Sequence, residues 1–419
     1  AQYYKDFSET QHFDIMAGYE WQHFYNDYYN IGNGFYRDTN NDPEKRGTKY
    51  PESESSSKTE SYIVSFFGRA NYIGWNQLML TATVRADGSS RFAPEHRWGI
   101  FPSVALGWKI KETFLQDVNE INDLKLRLGY GITGQQETGL GDYPYMATYT
   151  ISQDHAYYPI GGEENMLLDK EGNPVKDSNG NQLYTTYRPN AFNRYLTWEK
   201  TTTYNAGIDF GFLNNRVSGS IDYYFRQTDD LLNTIPVAVG TNFRNKVISN
   251  VGSLNNQGVE FAINAVAIDK KNFKWDLGFN FTYNENKITK LNTGEDQTPI
   301  PVGGISCGTG NTIQRHAVGY PAYSFYVYEA AEGTHENGEK YWYVVDRNED
   351  GEISEADQYY YKSRNAPITM GFQTKFQFYG FDLGISLRSN VGNYVYNDVL
   401  AANLQYADPT NLYRNGYHN

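Results

Sequence analysis

The stretch Phe273-Lys274-Trp275-Asp276-Leu277-Gly278-Phe279-Asn280-Phe281-Thr282-Tyr283-Asn284 alternates without a break. Phe, Trp, Leu, Phe, Phe and Tyr hold the odd positions, and small or polar residues the even ones. Successive side chains of a strand point to opposite faces, so this is a strand with one apolar and one polar face. Earlier in the chain, Tyr204, Ala206, Ile208, Phe210 and Phe212 face away from Asn205, Gly207, Asp209 and Gly211. The same period of two runs through residues 13–21, 78–85, 102–110 and 124–132. Several runs span about 11 residues, against roughly 5–6 for an ordinary soluble strand. At about 3.3 Å per residue such a run is roughly 36 Å long. Tilted by about 45° it covers roughly 25 Å of height, the apolar band of a transmembrane barrel. Aromatics close the runs at Trp21, Trp108, Phe212 and Tyr283, where interfacial girdles sit.

About eleven long strands are expected, centred near residues 18, 67, 81, 105, 128, 207, 221, 262, 278, 372 and 385. Short links (Gly74-Trp75, Leu213-Asn214-Asn215, Tyr379-Gly380) alternate with long polar stretches near 25–60, 87–99, 133–200, 227–256 and 285–366. Residues 111–123 are a longer link on the short side, with a helical turn expected at 112–118. Short periplasmic turns and long outer loops are the habit of membrane barrels. The fold class expected is therefore all-β: an antiparallel transmembrane β-barrel with long extracellular loops. The competing reading is a secreted, soluble β-sandwich that binds glycans through exposed Tyr and Trp.

Composition agrees with strands that are greasy on one side and wet on the other. The 38 Tyr, 23 Phe and 7 Trp bring aromatics to 16%, while charged residues are only 20%. No run approaches the roughly 20 apolar residues of a membrane helix, a test that is blind to barrels. The net charge of -13, with no Lys/Arg cluster, argues against a nucleic-acid partner. Cys307 is the single cysteine, so the chain forms no disulfide within itself and no thiolate cluster. Ala1-Gln2-Tyr3-Tyr4-Lys5 carries none of the regions of a signal peptide.

Enzyme signatures are missing. The seven His are scattered, with no H-E-x-x-H, no phosphate loop and no G-x-S-x-G elbow. Gly303, Gly304, Gly308 and Gly310 follow prolines in a loop rather than joining a strand to a helix. One segment carries metal chemistry: Asp346-Arg347-Asn348-Glu349-Asp350-Gly351-Glu352-Ile353-Ser354-Glu355-Ala356-Asp357. Its spacing fits a Ca2+ loop, with oxygens from Asp346, Asn348 and Asp350, Gly351 at the sharp turn, the Glu352 carbonyl, and Asp357 to close. The plain alternative is an acidic, Asx-rich turn. A strand rather than a helix precedes it at 341–345, so a paired-helix calcium module is not expected. Arg85-Ala86-Asp87-Gly88-Ser89-Ser90-Arg91-Phe92 reads as a structural turn in which Arg85 or Arg91 pairs with Asp87. In the 133–200 stretch, Tyr143, Tyr145, Phe192, Tyr195 and Trp198 are candidates to stack on substrate rings or to pack the loop against the barrel mouth.

These clusters resemble the SusC/RagA family of TonB-dependent outer-membrane transporters. The resemblance rests on residues 80–92, Phe101-Pro102-Ser103-Val104-Ala105-Leu106-Gly107-Trp108, residues 124–131 and Gly219-Ser220-Ile221-Asp222-Tyr223-Tyr224. It continues through Asn250-Val251-Gly252, Gly258-Val259-Glu260, the acidic loop at Asp346 and Gly392-Asn393-Tyr394-Val395-Tyr396-Asn397, all in family order. It implies a 22-stranded barrel in the outer membrane of a Gram-negative bacterium, filled by an N-terminal plug. It also implies a SusD-like surface lipoprotein as lid, energy through TonB, and an oligosaccharide or peptide as substrate. Residues 1–419 are then expected to be a partial barrel. No plug or TonB box is legible in the chain, and no aromatic-ended closing strand precedes Tyr417-His418-Asn419.

Overall fold

The computed structural model describes residues 1–32, 53–137, 141–156, 165–169, 172–237, 244–292, 297–305 and 312–403, with Gly139 and Gly240 besides. Cys307, Gly308, Gly310 and residues 417–419 lie outside the described residues. The strands in chain order begin with β1 (Gln2–Ser8), β2 (Gln11–Gly32), β3 (Ser53–Gly74), β4 (Leu78–Ser89), β5 (Trp98–Lys109) and β6 (Ile121–Gln135). A short helix, α1 (Ile110–Phe114), links β5 to β6. Next come β7 (Tyr149–Ala156), β8 (Tyr184–Pro189), β9 (Glu199–Phe212), β10 (Val217–Pro236), β11 (Lys246–Lys270) and β12 (Phe273–Lys290). The outer excursion that follows holds β13 (Ile300–Gly304), β14 (Thr312–His316), β15 (Ser324–Val327), β16 (Ala330–Thr334), β17 (Lys340–Val344) and β18 (Tyr359–Ser363). The chain returns through β19 (Ile368–Phe378) and β20 (Phe381–Val391) to α2 (Asp398–Asn403).

Twelve of these strands form one antiparallel sheet in the order β1-β2-β3-β4-β5-β6-β9-β10-β11-β12-β19-β20. Every expected long strand is present. β1 is additional to them, so the strand at residues 13–21 is not the first: it pairs with β1 on one side and β3 on the other. Strands also run further outward than expected. The β10–β11 ladder continues to Pro236↔Lys246, which leaves a link far shorter than 227–256. The helical turn lies at α1, earlier than 112–118.

Register brings the apolar positions of neighbouring strands onto one face. Tyr19 faces Phe66, Phe66 faces Ala86, and Ala86 faces Ile100. Leu126 faces Ile208, Ile208 faces Ile221, and Ile221 faces Phe261. Phe279 faces Phe372, which faces Leu387. A bulge between Val266 and Ile268 sets Ile268 opposite Trp275 and so holds the apolar face through the foot of β11.

This apolar face is left bare. Ile100 is 64% exposed, Phe66 53% and Leu387 62%. A β-sandwich would cover such a face with a second sheet. Among the described residues none does so, and an uncovered patch of this extent calls for lipid. Rings gather at both ends of the band. Trp108–Phe114, Phe210–Phe212 and Phe273–Phe378 mark the end of the short links. Trp21–Tyr62, Phe66–Trp98 and Tyr130–Tyr204 mark the other. The short links are tight: Tyr379 and Gly380 both take positive φ, 46° and 88°, the backbone twist that a two-residue hairpin needs. Among the described residues, no helix is long and apolar enough to cross a membrane.

Candidate functional site

The opposite face of the wall carries paired charge. Arg127, Gly207 and Asp222 lie in register across β6, β9 and β10. The Arg127 Nε donates to both oxygens of Asp209 at 2.9 Å, and its Nη2 donates to Asp222 Oδ2 at 2.8 Å. It reaches Asp222 across Gly207, where a Cβ would collide with the Asp222 carboxylate. Nearer β1, Arg85 donates to Glu20 at 2.8 Å, Ser65 at 2.8 Å and Asp87 at 2.7 Å. The expected Arg85–Asp87 pairing is therefore present, but Asp87, Gly88 and Ser89 belong to β4 rather than to a turn, because β5 pairs with them up to Gly88↔Trp98, and Arg91 goes elsewhere. These ions are half-buried and hydrogen-bonded along the wall, as a water-facing interior requires.

The outer mouth is built from the long links. The β5–β6 ladder stops at Ser103↔Gly131, while β5 stays with β4 to Trp98 and β6 stays with β9 to Glu199. A small core of Phe92, Phe101, Leu196 and Trp198 occupies this seam, with Ile132 and Leu232 against it. The Phe101 ring lies where a Cβ on Gly134 would have to go. The Trp198 indole N–H donates to Arg97 O at 2.9 Å. Asn250, within β11, bonds both the N–H and the C=O of Thr197 and also the C=O of Asp230. One side chain thus ties the loop ahead of β9 to β10 and β11.

A second strap holds the segment beyond β6 at Glu137, Asp142 and Tyr143. Arg91 donates to Asp142 at 3.0 Å and pairs with Glu137, and both Arg91 and Asp142 are largely shielded from water. The Tyr143 hydroxyl donates to Glu60 O at 3.1 Å and accepts the Glu60 N–H at 3.3 Å. Between this segment and β11 lies a hollow of about 560 Å³, lined by Tyr143, Pro144, Met146, Phe192, Val247 and Ile248 among others. The substrate candidates therefore divide. Tyr143 lines the hollow, Tyr145 is half-buried nearby, Tyr195 is 70% exposed beside His96, and Trp198, only 4% exposed, is spent on packing. The arrangement offers shape and ring faces; it sets no nucleophile beside a base.

The acidic loop is an Asx-turn network around a buried carboxylate. Asp357 is fully buried and accepts N–H bonds from Ser354 (2.8 Å), Arg347 (2.8 Å) and Asn348 (3.4 Å). The Ser354 N–H leads in holding its carboxyl below the usual carboxylate range. Asp346 Oδ2 accepts the Gly351 N–H at 2.7 Å, while Asp346 Oδ1 is closed off from water without a hydrogen-bond partner. Asn348 and Asp350 bond to each other, and Asp350 accepts the Glu352 N–H at 2.8 Å. Among the described residues, no three His, Cys, Asp or Glu side chains converge to hold a metal.

A lipid-facing apolar band between two aromatic girdles, backed by a charged interior and roofed by long loops, defines the wall of an outer-membrane β-barrel. Residues 2–327 match the family described as TonB dependent receptor-like, beta-barrel. The chain belongs to the TonB-dependent receptor family, a family of receptors and transporters rather than enzymes. It is 45% identical to the TonB-dependent receptor SusC of Bacteroides thetaiotaomicron over 423 residues, covering all of this chain and 40% of SusC. It is 31% identical to the TonB-dependent receptor P3 of Formosa agariphila, over 83% of this chain and 33% of that receptor. Among solved structures it superposes on the RagAB peptide importer in its open-open state with a TM-score of 0.74 at 26% identity, covering 94% of this chain and 40% of that one. The RagAB peptide transporter gives 0.71 at 26% identity, with 95% and 41% covered. The chain thus spans about 40% of the length of SusC and of the RagAB chain. Such receptors reside in the outer membrane of Gram-negative bacteria, and that is where this wall sits.

Proposed function

We propose that the full-length protein is an energy-coupled importer that takes up oligosaccharides, or peptides, delivered by a SusD-like surface lipoprotein and driven through TonB. The observation that carries this is the likeness to SusC at 45% identity along the whole of this chain, outer links included. The RagAB likeness supports a two-component importer and keeps peptides in view. Within the wall, the hollow behind Tyr143 is the place proposed to meet substrate, with Tyr195, exposed beside His96, as a further ring. The test is uptake of labelled oligosaccharides and of labelled peptides by cells with and without the gene. Loss of one class on deletion, and equal loss when TonB is removed, is expected. Unchanged uptake of both classes would end the import reading.

We further propose Ca2+ as a ligand of the acidic loop, held by Asp346, Asn348, Asp350, the Glu352 carbonyl and Asp357. What supports it is the donor set and the shielded, unpartnered Asp346 Oδ1, which a cation would satisfy. Asn348 and Asp350 would have to exchange their mutual bond for the ion. Calcium should slow amide exchange across residues 346–357, and Asp350→Asn should abolish the slowing. Exchange indifferent to calcium would leave the Asx-turn network as the whole explanation.

A further inference from the structure

Beyond β20 the chain folds back, and the Tyr394 N–H donates to Ser363 O at 3.1 Å. This places the Gly392-Asn393-Tyr394 motif beside β18 and the outer end of β12. A hollow of about 390 Å³ opens there, within the range of small-molecule sites. Its lining includes five rings, Tyr283, Tyr320, Tyr360, Tyr361 and Tyr394, beside polar groups that include Glu285. Tyr320 and Tyr360 stack at 4.0 Å, and Tyr361 meets Tyr394 edge-on at 5.4 Å. The rings are fixed by one another yet stay open, Tyr361 at 47% and Tyr394 at 40% exposure.

The polar group at this hollow is unusual. The Lys362 ammonium lies 5.8 Å and 5.9 Å from the centres of the Tyr361 and Tyr394 rings. Among the described residues it has no carboxylate within ion-pair reach. Its hydrogens therefore point to water and rings, available to an incoming oxygen. Asn284 and Asn365 add amide groups to the lining.

We propose that this hollow is a sugar-ring subsite at the outer mouth, taking one pyranose unit of an oligosaccharide. A pyranose has flat C–H faces that suit tyrosine rings and a rim of hydroxyls that suits an ammonium and amides. A peptide would seek a strand edge instead. The free edge of β18 is met here by the Tyr394 N–H, which occupies Ser363 O. The site rests on the import reading, since it is on the outer side of the wall that a glycan arrives; it adds a second contact remote in sequence from the Tyr143 hollow.

The test is isothermal titration of the full-length protein in detergent with maltohexaose, xylohexaose, cellohexaose and pentaalanine. The protein is compared with Tyr361→Ala, Tyr394→Ala and Tyr394→Phe, each first checked for the heat-shifted gel mobility of a folded barrel. At least one hexaose should bind, both Ala variants should weaken it roughly tenfold, and Tyr394→Phe should stay within about threefold because the ring face survives. Ala variants that bind like the parent would overturn the subsite. So would failure of all three hexaoses to bind, or binding of pentaalanine alone. The import reading stands or falls separately: unchanged uptake in deletion cells would sink it even if the hexaose bound at Tyr394.

Discussion

Gly207 shows how much a single missing side chain can do. It sits between Arg127 and Asp222 in adjacent strands, and the guanidinium crosses the strand over it. Gly207→Val should force Arg127 away from Asp222 and cost roughly 1–3 kcal/mol, the worth of a hydrogen bond to a charged group left unmade. Thermal unfolding of the full-length protein in detergent would reveal it; an unchanged midpoint would mean that the cluster contributes nothing. The sequence places Gly207, Asp209 and Arg127 on polar faces but does not say that they meet. Their partners lie 82 and 95 residues apart, and only register joins them. Arg85 and Asp87, two residues apart on one face, were readable for that reason. Trp198 illustrates the opposite case. Its exposed or buried state depends on Arg97, 101 residues away, and on a seam between β5 and β6 that no local pattern announces.

At the scale of the strand, alternation was a sufficient guide wherever a run was long. Leu277→Arg, near the middle of β12, places a charge among Phe273, Trp275 and Phe279. It should cost about 2–4 kcal/mol if that point is near the bilayer midplane. Asn280→Arg, on the wet face, should cost far less. Denaturant titration of both variants in lipid checks the register, and equal costs would reverse it. β1 escaped notice because Lys5 interrupts Tyr3 and Phe7 on the face that meets Ile15 and Phe13. The polar foot of β3, Ser55-Ser56-Ser57-Lys58, read as a loop, yet it is strand because β2 pairs with it up to Gly32↔Ser53. The four-residue β15 and its neighbours are too short for any period to register. Within that small sheet, burial first and then the Arg364 guanidinium hold the His316 imidazole below its usual 6.5. The unfolded loop therefore takes up a proton before the folded one does. Stability is full at neutral pH and declines as the pH falls below about 6.5. Amide exchange of β14 and β15, corrected for intrinsic rates, should quicken between pH 7.5 and 5.5. His316→Gln should remove that dependence; a dependence that persists would assign it elsewhere.

Across the whole molecule the wall has two ends. β1 pairs only with β2, and β20 only with β19, among the described residues. Each unpaired N–H or C=O in hydrocarbon costs several kcal/mol, so in the membrane both edges need strand partners. Amides of β1 and β20 in the full-length protein should accordingly be protected from exchange as well as those of β10. Rapid exchange at either edge, beside a protected β10, would contradict a closed barrel. Between those edges nearly every strand bonds to its neighbour in the chain, and the departures are excursions at the outer rim, as from Lys290 to Ile368. Such a tether tolerates growth: doubling the length of a flexible loop costs only about 0.6 kcal/mol in closure entropy. The excursion after β12 also spends its length on sheets of its own, β13-β14-β15-β18 and β16-β17, whose strands, among the described residues, form ladders only with one another. Insertions or duplications in that rim would thus leave the barrel's stability nearly untouched, so that evolution is free to rewrite the rim over an unaltered wall.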